Sequence, residues 1–127
     1  MPVKEEKETA MLVDSYKYED EIIVCLNVEE PEMMEIGAKM EEINPEAYMN
    51  GYNWDAFLTH YFRLHAPDLL EGLDPDPEAG SYVGHYEMTA ENRKKAEKFV
   101  ETVTKLLENE DEIYRFLCEE GDRIDWD

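Results

Sequence analysis

The chain has few cysteines, few basic residues and no long apolar run, and each shortage excludes a class of protein. Its two cysteines, Cys25 and Cys118, form no CxxC or Cys/His pattern, so no zinc motif is present. We expect both to be buried free thiols. Residues 1–9 lack the apolar segment of a secretory signal, and no run approaches the roughly 20 apolar residues of a membrane helix. We therefore expect a cytoplasmic protein.

Acidic residues far outnumber basic ones: 33 Asp and Glu stand against 12 Lys and Arg, for a formal net charge of −21. The apolar fraction of 43% is still too high for a disordered acidic chain, so we expect one folded domain over residues 1–127. A surface of this sign repels phosphate backbones and anionic lipids. We expect neither nucleic acid nor membrane as a partner. The charge favours a basic protein or a cationic ligand, and plain solubility is the alternative explanation.

Apolar segments and turn residues predict an α+β fold with two β-hairpins. Residues 10–16 and 21–28 have the β-branched and apolar density of strands, and the second run is apolar on both faces, as in a central strand. Residues 69–84 predict a short strand, an acidic turn stiffened by Pro75 and Pro77, and a longer strand. The hairpins should form a mainly antiparallel sheet packed against about four helices.

The first two helices are predicted from apolar residues at helical spacing. The first begins at Pro31 and ends near Asn44, because the residue before a proline avoids helical dihedrals. The second has Asn53 as its N-cap and ends before Pro67. Their predicted buried faces are Met33, Ile36, Gly37, Met40 and Ile43 in the first, and Trp54, Phe57, Leu58 and Tyr61 in the second.

Two further helices follow, the third capped by Thr89 and the fourth ended by Gly121. In residues 122–127, Ile124 and Trp126 alternate with charged residues, which predicts an edge strand or a docked tail. The predicted buried faces of these helices are Ala96, Phe99, Val100, Val103 and Leu107 in the third, and Ile113, Phe116 and Leu117 in the fourth.

No set of residues predicts a metal or catalytic site. Asp74, Asp76 and Glu78 alternate as in the opening of a calcium loop, but the glycine and the closing glutamate of such a loop are absent. His60 and His65 lie five apart and so project from different faces of a helix. The sequence contains no nucleophile elbow, phosphate-binding loop or dinucleotide fingerprint. We expect no enzymatic activity, no metal and no cofactor.

Two acidic elements are the predicted contact sites for a partner, because we expect both to be exposed. The first is a turn, and the second is the tail, in which an aromatic side chain stands between carboxylates. An aromatic surface beside fixed negative charge suits an anchor that meets Arg or Lys. Trp54 also stands beside an aspartate, but its place on a helical stripe predicts that it is core. The predicted contact residues are Asp74, Asp76, Glu78, Asp125, Trp126 and Asp127.

Three segments carry a family resemblance: GYNW at residues 51–54, DPEAG at residues 76–80 followed by an aromatic strand, and IDW at residues 124–126. They resemble the bacterial immunity protein 51 family, which accompanies polymorphic toxin systems. The resemblance covers the chain from about residue 51 onward. It implies a protein that binds a cognate toxin and blocks it without catalysis. It names no toxin and carries no catalytic residue onto this chain.

Other functional classes remain open from the sequence. A small-molecule-binding regulatory module would use Tyr52, Trp54, Tyr82 and Tyr86 to line a pocket for a cationic or aromatic ligand. A nucleic-acid mimic would space its carboxylates like phosphates along an elongated face. An enzyme would need convergent polar groups with shifted pKa values in a cleft.

Overall fold

The computed structural model describes residues 12–127, in which two strands and two helices are followed by two strands and two helices. Residues 10 and 11 of the first predicted strand lie outside the described part. Short 3₁₀ turns occur at Pro67–Leu70 and Gly121–Arg123. The elements are β1 Val13–Tyr18, β2 Glu21–Leu26, α1 Pro31–Ile43, α2 Gly51–His65, β3 Asp74–Pro75, β4 Tyr82–Glu87, α3 Ala90–Glu108 and α4 Glu110–Glu120.

The four strands form one antiparallel sheet in the order β1-β2-β4-β3. The predicted α+β fold, the first hairpin and the central position of β2 are confirmed. The second hairpin is also present, but β3 has only two residues, because Pro75 and Pro77 lack the N–H groups that a longer ladder needs. No helix within residues 12–127 is long and apolar enough to cross a membrane.

The helices cover one face of the sheet. Val24 and Leu26 of β2 are fully buried on that face. Tyr82 of β4 pairs with Leu26 in the sheet and stacks on Phe99 of α3, with ring centroids 6.0 Å apart. Because side chains alternate along a strand, the residues between these point to the opposite face, away from α3.

Aromatic rings join α2 to α4. Phe57 of α2 is fully buried and meets Trp54 and Phe116 edge to face, at centroid distances of 5.7 and 5.5 Å. Such a pair contributes about 0.5–1.5 kcal/mol beyond the burial of its area. Trp54 is 0% exposed, which confirms that it belongs to the core.

The predicted start of α2 at Asn53 is wrong by three residues. Asn50 is the N-cap, and its side-chain oxygen accepts the backbone N–H of Asn53 at 2.9 Å. Gly51 is the first helical residue because its missing Cβ lets the helix approach the turn of residues 78–81. A Cβ on Gly51 would lie 1.7 Å from the Glu78 carbonyl oxygen and 2.2 Å from that of Ser81.

The predicted ends or caps of the other three helices are confirmed. Helix α1 begins at Pro31 and ends at Ile43, and the Thr89 side chain caps α3 by accepting the Asn92 N–H at 3.0 Å. Helix α4 ends at Glu120, and Gly121 keeps a helical backbone at the start of the 3₁₀ turn.

Some predicted burials are wrong. Ile43 is 40% exposed at the open end of α1, and Tyr61 and Val100 are only half-buried at the edges of their stripes. Cys118 is exposed on α4, and Cys25 is half-buried on the face of the sheet opposite the helices.

Replacing Gly51 with alanine should lower the free energy of unfolding by about 3 kcal/mol or more, because backbone oxygens leave no room for the methyl group. Gly37→Ala is the matched control within a helix. There the new Cβ meets the Met49 Cβ at 3.0 Å, and improved helix propensity offsets that contact, so we expect a change within about 1 kcal/mol. Urea unfolding of both variants measures the difference. Equal urea midpoints for the two variants would contradict the close approach of α2 to the turn of residues 78–81.

Candidate functional site

The acidic turn is held by the sheet ladder while its carboxylates stay exposed. Asp74 pairs with β4, and the Asp76 N–H donates to the Val83 carbonyl oxygen at 2.7 Å. The Glu78 N–H donates to the Ser81 carbonyl oxygen at 2.8 Å. All three acidic side chains are exposed. The turn therefore presents fixed negative charge on an ordered backbone.

This turn borders the face of the sheet opposite the helices. His85 on that face places Nδ1 3.2 Å from Glu21 Oε1 and Nε2 3.9 Å from Asp76 Oδ2. Tyr16 and Tyr18 on β1 are 51% and 59% exposed. Strand register assigns to this face Asp14, Tyr16, Tyr18, Glu21, Ile23, Cys25, Asp74, Asp76, Val83, His85 and Glu87.

The tail docks on the rest of the molecule and adds no strand to the sheet. Ile124 is 5% exposed in the core. The Trp126 indole N–H donates to the Gly121 carbonyl oxygen at 3.0 Å. The Asp127 N–H donates to Oδ1 of the buried Asn53 at 2.7 Å. Of the two structures predicted for residues 122–127, the docked tail is therefore observed.

A cleft of about 410 Å³ separates the tail from the outer side of α2. Asp125, Trp126 and Asp127 of the tail form one wall. The other wall consists of two rows of α2 side chains, and the residues within each row are spaced four apart. The lining residues are Tyr52, Asp55, Ala56, Thr59, His60, Arg63, Asp125, Trp126 and Asp127.

Asp55 and His60 set the electrostatics at the α2 side of the cleft. Burial raises the pKa of Asp55, and the hydrogen bond that Thr59 donates to it at 3.2 Å opposes this rise. His60 is 8% exposed and donates from Nε2 to Glu120 Oε1 at 2.9 Å. That hydrogen bond holds the pKa of Glu120 below its ordinary value. Nδ1 of His60 is buried without a hydrogen-bond partner among the described residues.

The two predicted contact elements do not share one pocket. The tail lines the cleft, whereas Glu78 lines a separate acidic groove with Glu29 and Glu30. Both elements are nevertheless held by the first turn of α2: the Gly51 N–H donates to the Ala79 carbonyl oxygen at 2.9 Å, and Asn53 binds the tail.

Sequence reasoning missed the α2 wall of the cleft. Asp55, Thr59 and Arg63 are spaced four apart, and this spacing could have shown a polar row opposite the buried stripe. It could not have shown that the tail lies over the row, because that contact joins residues distant in the chain.

The pocket predicted for a small-molecule module is wrong. Trp54, Tyr82 and Tyr86 are each at most 1% exposed and form part of the core, where the Tyr86 hydroxyl donates to the Leu69 carbonyl oxygen. Tyr52 alone of the four is exposed, at 41%. Within residues 12–127, no group of three or more His, Cys, Asp or Glu side chains is arranged to hold a metal ion.

Geometry and charge together define a small acidic α+β protein with an exposed acidic turn and a cleft between its tail and α2. The family model described as Immunity protein 51 matches residues 13–122. The chain therefore belongs to the immunity protein 51 family, and the resemblance predicted from residue 51 onward extends to the first hairpin. No curated protein and no solved structure matches the chain.

The His60–Glu120 contact predicts a specific pH dependence of stability. Because the pKa of folded Glu120 is lowered, its contribution is present above the unfolded pKa and is lost as the pH falls through the folded pKa. Glu120→Gln should therefore be less stable than the wild type near neutral pH, and the difference in free energy of unfolding should narrow as the pH falls below the ordinary range for a glutamate. Urea midpoints measured from neutral pH downward test it. The exposed neighbour variant Glu119→Gln is the control, and an equal narrowing there would contradict a role for His60.

Proposed function

We propose that this protein binds a cognate bacterial toxin of a polymorphic toxin system and neutralises it by occlusion. The match of the family model to residues 13–122 carries this proposal. The protein acts as an inhibitor and not as a catalyst, and it works in the cytoplasm, where it meets its toxin. The net charge of −21 supports a basic toxin domain as partner and disfavours nucleic acid and membranes.

The acidic turn and the adjoining sheet face are well suited to form the broad part of the interface. A standard interface covers about 800 Å² on each partner and concentrates its binding energy in a few aromatic or arginine anchors. Tyr16 and Tyr18 offer exposed aromatic surface, and Asp74 and Asp76 lie on the same face. Rigid backbone under these side chains reduces the entropy lost on binding.

The tail is the second proposed contact. Trp126 is half-buried beside two exposed aspartates, and hydrogen bonds hold both the indole and the backbone of Asp127. Exposed carboxylates chiefly raise the association rate of a basic partner, whereas a packed aromatic ring chiefly slows dissociation. The two proposed elements should therefore affect different rate constants.

Neutralising the acidic turn should slow association with the toxin domain encoded beside this gene, by several-fold at low salt, because local charge steers the encounter. The control removes the same number of charges from exposed acids whose side chains pair with no described residue. Stopped-flow association across a salt series measures the effect. An equal decrease of the association rate in both variants would mean that net charge alone steers the toxin, with no special role for the turn. The turn variant is Asp74→Asn, Asp76→Asn and Glu78→Gln, and the control is Glu41→Gln, Glu42→Gln and Glu97→Gln.

Replacing Trp126 with alanine should raise the dissociation rate of the toxin complex about tenfold or more, because truncating an aromatic anchor removes the contacts that its ring makes with the toxin. Tyr48→Ala is the control, since Tyr48 is 65% exposed and lies outside the turn and tail. Surface plasmon resonance with the toxin domain, and rescue of cells that express it, are the measurements. An absence of wild-type binding and of rescue would contradict the proposed function itself.

A further inference from the structure

The cleft between α2 and the tail is more than a local cluster of acids, because it combines a cavity, a fixed aromatic wall and carboxylates. Its volume of about 410 Å³ falls within the range of small-ligand sites, roughly 300–1,000 Å³. Trp126 is bound at its indole N–H to the Gly121 carbonyl oxygen, and Asn53 holds the next residue. The ring is thus positioned before any partner arrives.

Charge around the cleft favours a cation. Asp55, Asp125 and Asp127 line it, and their carboxylates form no ion pair with any described residue. Arg63 lines the cleft as well and also forms no ion pair with a described residue. Three carboxylates against one guanidinium leave a net negative site, which disfavours anionic ligands. A second copy of this chain is disfavoured too, because each copy carries a charge of −21.

The α2 side of the cleft has unused hydrogen-bonding capacity. Asp55 is half-buried and uses one carboxylate oxygen to accept from Thr59. His60, which is 8% exposed, lines the cleft with its Nδ1 unpartnered among the described residues. Buried polar groups are normally hydrogen-bonded, so this nitrogen is a polar atom, in a residue that lines the cleft, that the described part of the chain leaves unsatisfied.

We propose that the cleft receives one arginine side chain of the toxin, with the guanidinium packed on Trp126 and bound by the carboxylates of Asp55 and Asp125. This inference rests on the proposed function and specifies the chemistry of its partner. Arginine fits better than lysine, because its planar group can stack on an aromatic ring and donate to carboxylates at the same time. The docked tail would then explain why an acidic, aromatic segment is placed across α2.

The free protein allows a direct test with N-acetyl-arginine amide, a neutral-backbone probe that carries one guanidinium. We expect saturable binding at about 1–10 mM, read both from fluorescence and from the NMR shift of the Trp126 indole N–H. The isosteric N-acetyl-citrulline amide should not saturate, because it lacks the charge. Trp54 is fully buried, so its indole N–H serves as an internal control.

Variants of exposed residues test the assignment with little risk to folding. Asp125→Asn should weaken the probe about tenfold, and Arg63→Gln should strengthen it about threefold, because the first loses a charged acceptor and the second removes repulsion. Asp122→Asn is the matched control, since Asp122 is an exposed aspartate of the same tail but does not line the cleft. Equal effects of Asp122→Asn and Asp125→Asn would overturn the assignment.

The same variants, measured with the toxin domain, separate this inference from the proposed function. Support requires two results. Asp125→Asn must weaken the toxin complex, and wild type and Asp125→Asn must bind equally well to a toxin in which one particular arginine has been replaced, as in a double-mutant cycle. Toxin binding that is insensitive to Asp125→Asn, with no probe binding, overturns the inference and leaves the proposed function intact. Probe binding without any toxin binding or rescue supports a guanidinium site and overturns the proposed function.

Discussion

The close approach of α2 to the turn of residues 78–81 is the constraint on which the candidate surfaces depend. It is possible because Gly51 has no Cβ, and its N–H bonds the Ala79 carbonyl oxygen. Two residues further along, Asn53 is buried and its side chain accepts the backbone N–H of Asp127. The first turn of one helix thus orders both the acidic turn and the tail, which are far apart in sequence. A shift of this helix would alter both surfaces together.

Charge and packing have separate roles in this molecule. The fold has to offset the self-repulsion of a −21 chain, and it does so with one contiguous apolar cluster and a set of edge-to-face aromatic pairs. Exposed ion pairs such as Lys98–Asp68 contribute little to stability. Apolar burial therefore stabilises the fold, while the carboxylates of the described residues set the sign of its surface charge.

Local signals predicted most of the elements. Pro31 and Thr89 act through nearest-neighbour backbone chemistry, so the starts of α1 and α3 followed from a few adjacent residues. The start of α2 did not, because Asn53 has a side chain typical of an N-cap and yet lies inside the helix. The choice of Asn50 over Asn53 depends on a turn almost thirty residues away, which leaves Asn53 free to bind the tail. Tyr82 and Tyr86, predicted as pocket residues in one alternative, are likewise buried by contacts with distant segments: Tyr82 stacks on Phe99 of α3, and the Tyr86 hydroxyl donates to the Leu69 carbonyl oxygen.

By itself, the sequence determined the fold class, the sign of the surface charge and the family, because composition, periodicity and short motifs are properties of neighbouring residues. The tail and the turn were recognisable as acidic elements for the same reason. Tertiary structure alone decided that the turn borders a sheet face with two exposed tyrosines, and that Trp126 closes a cleft over Asp55 and His60. Those relations join segments distant along the chain, and no local pattern encodes which of them come into contact.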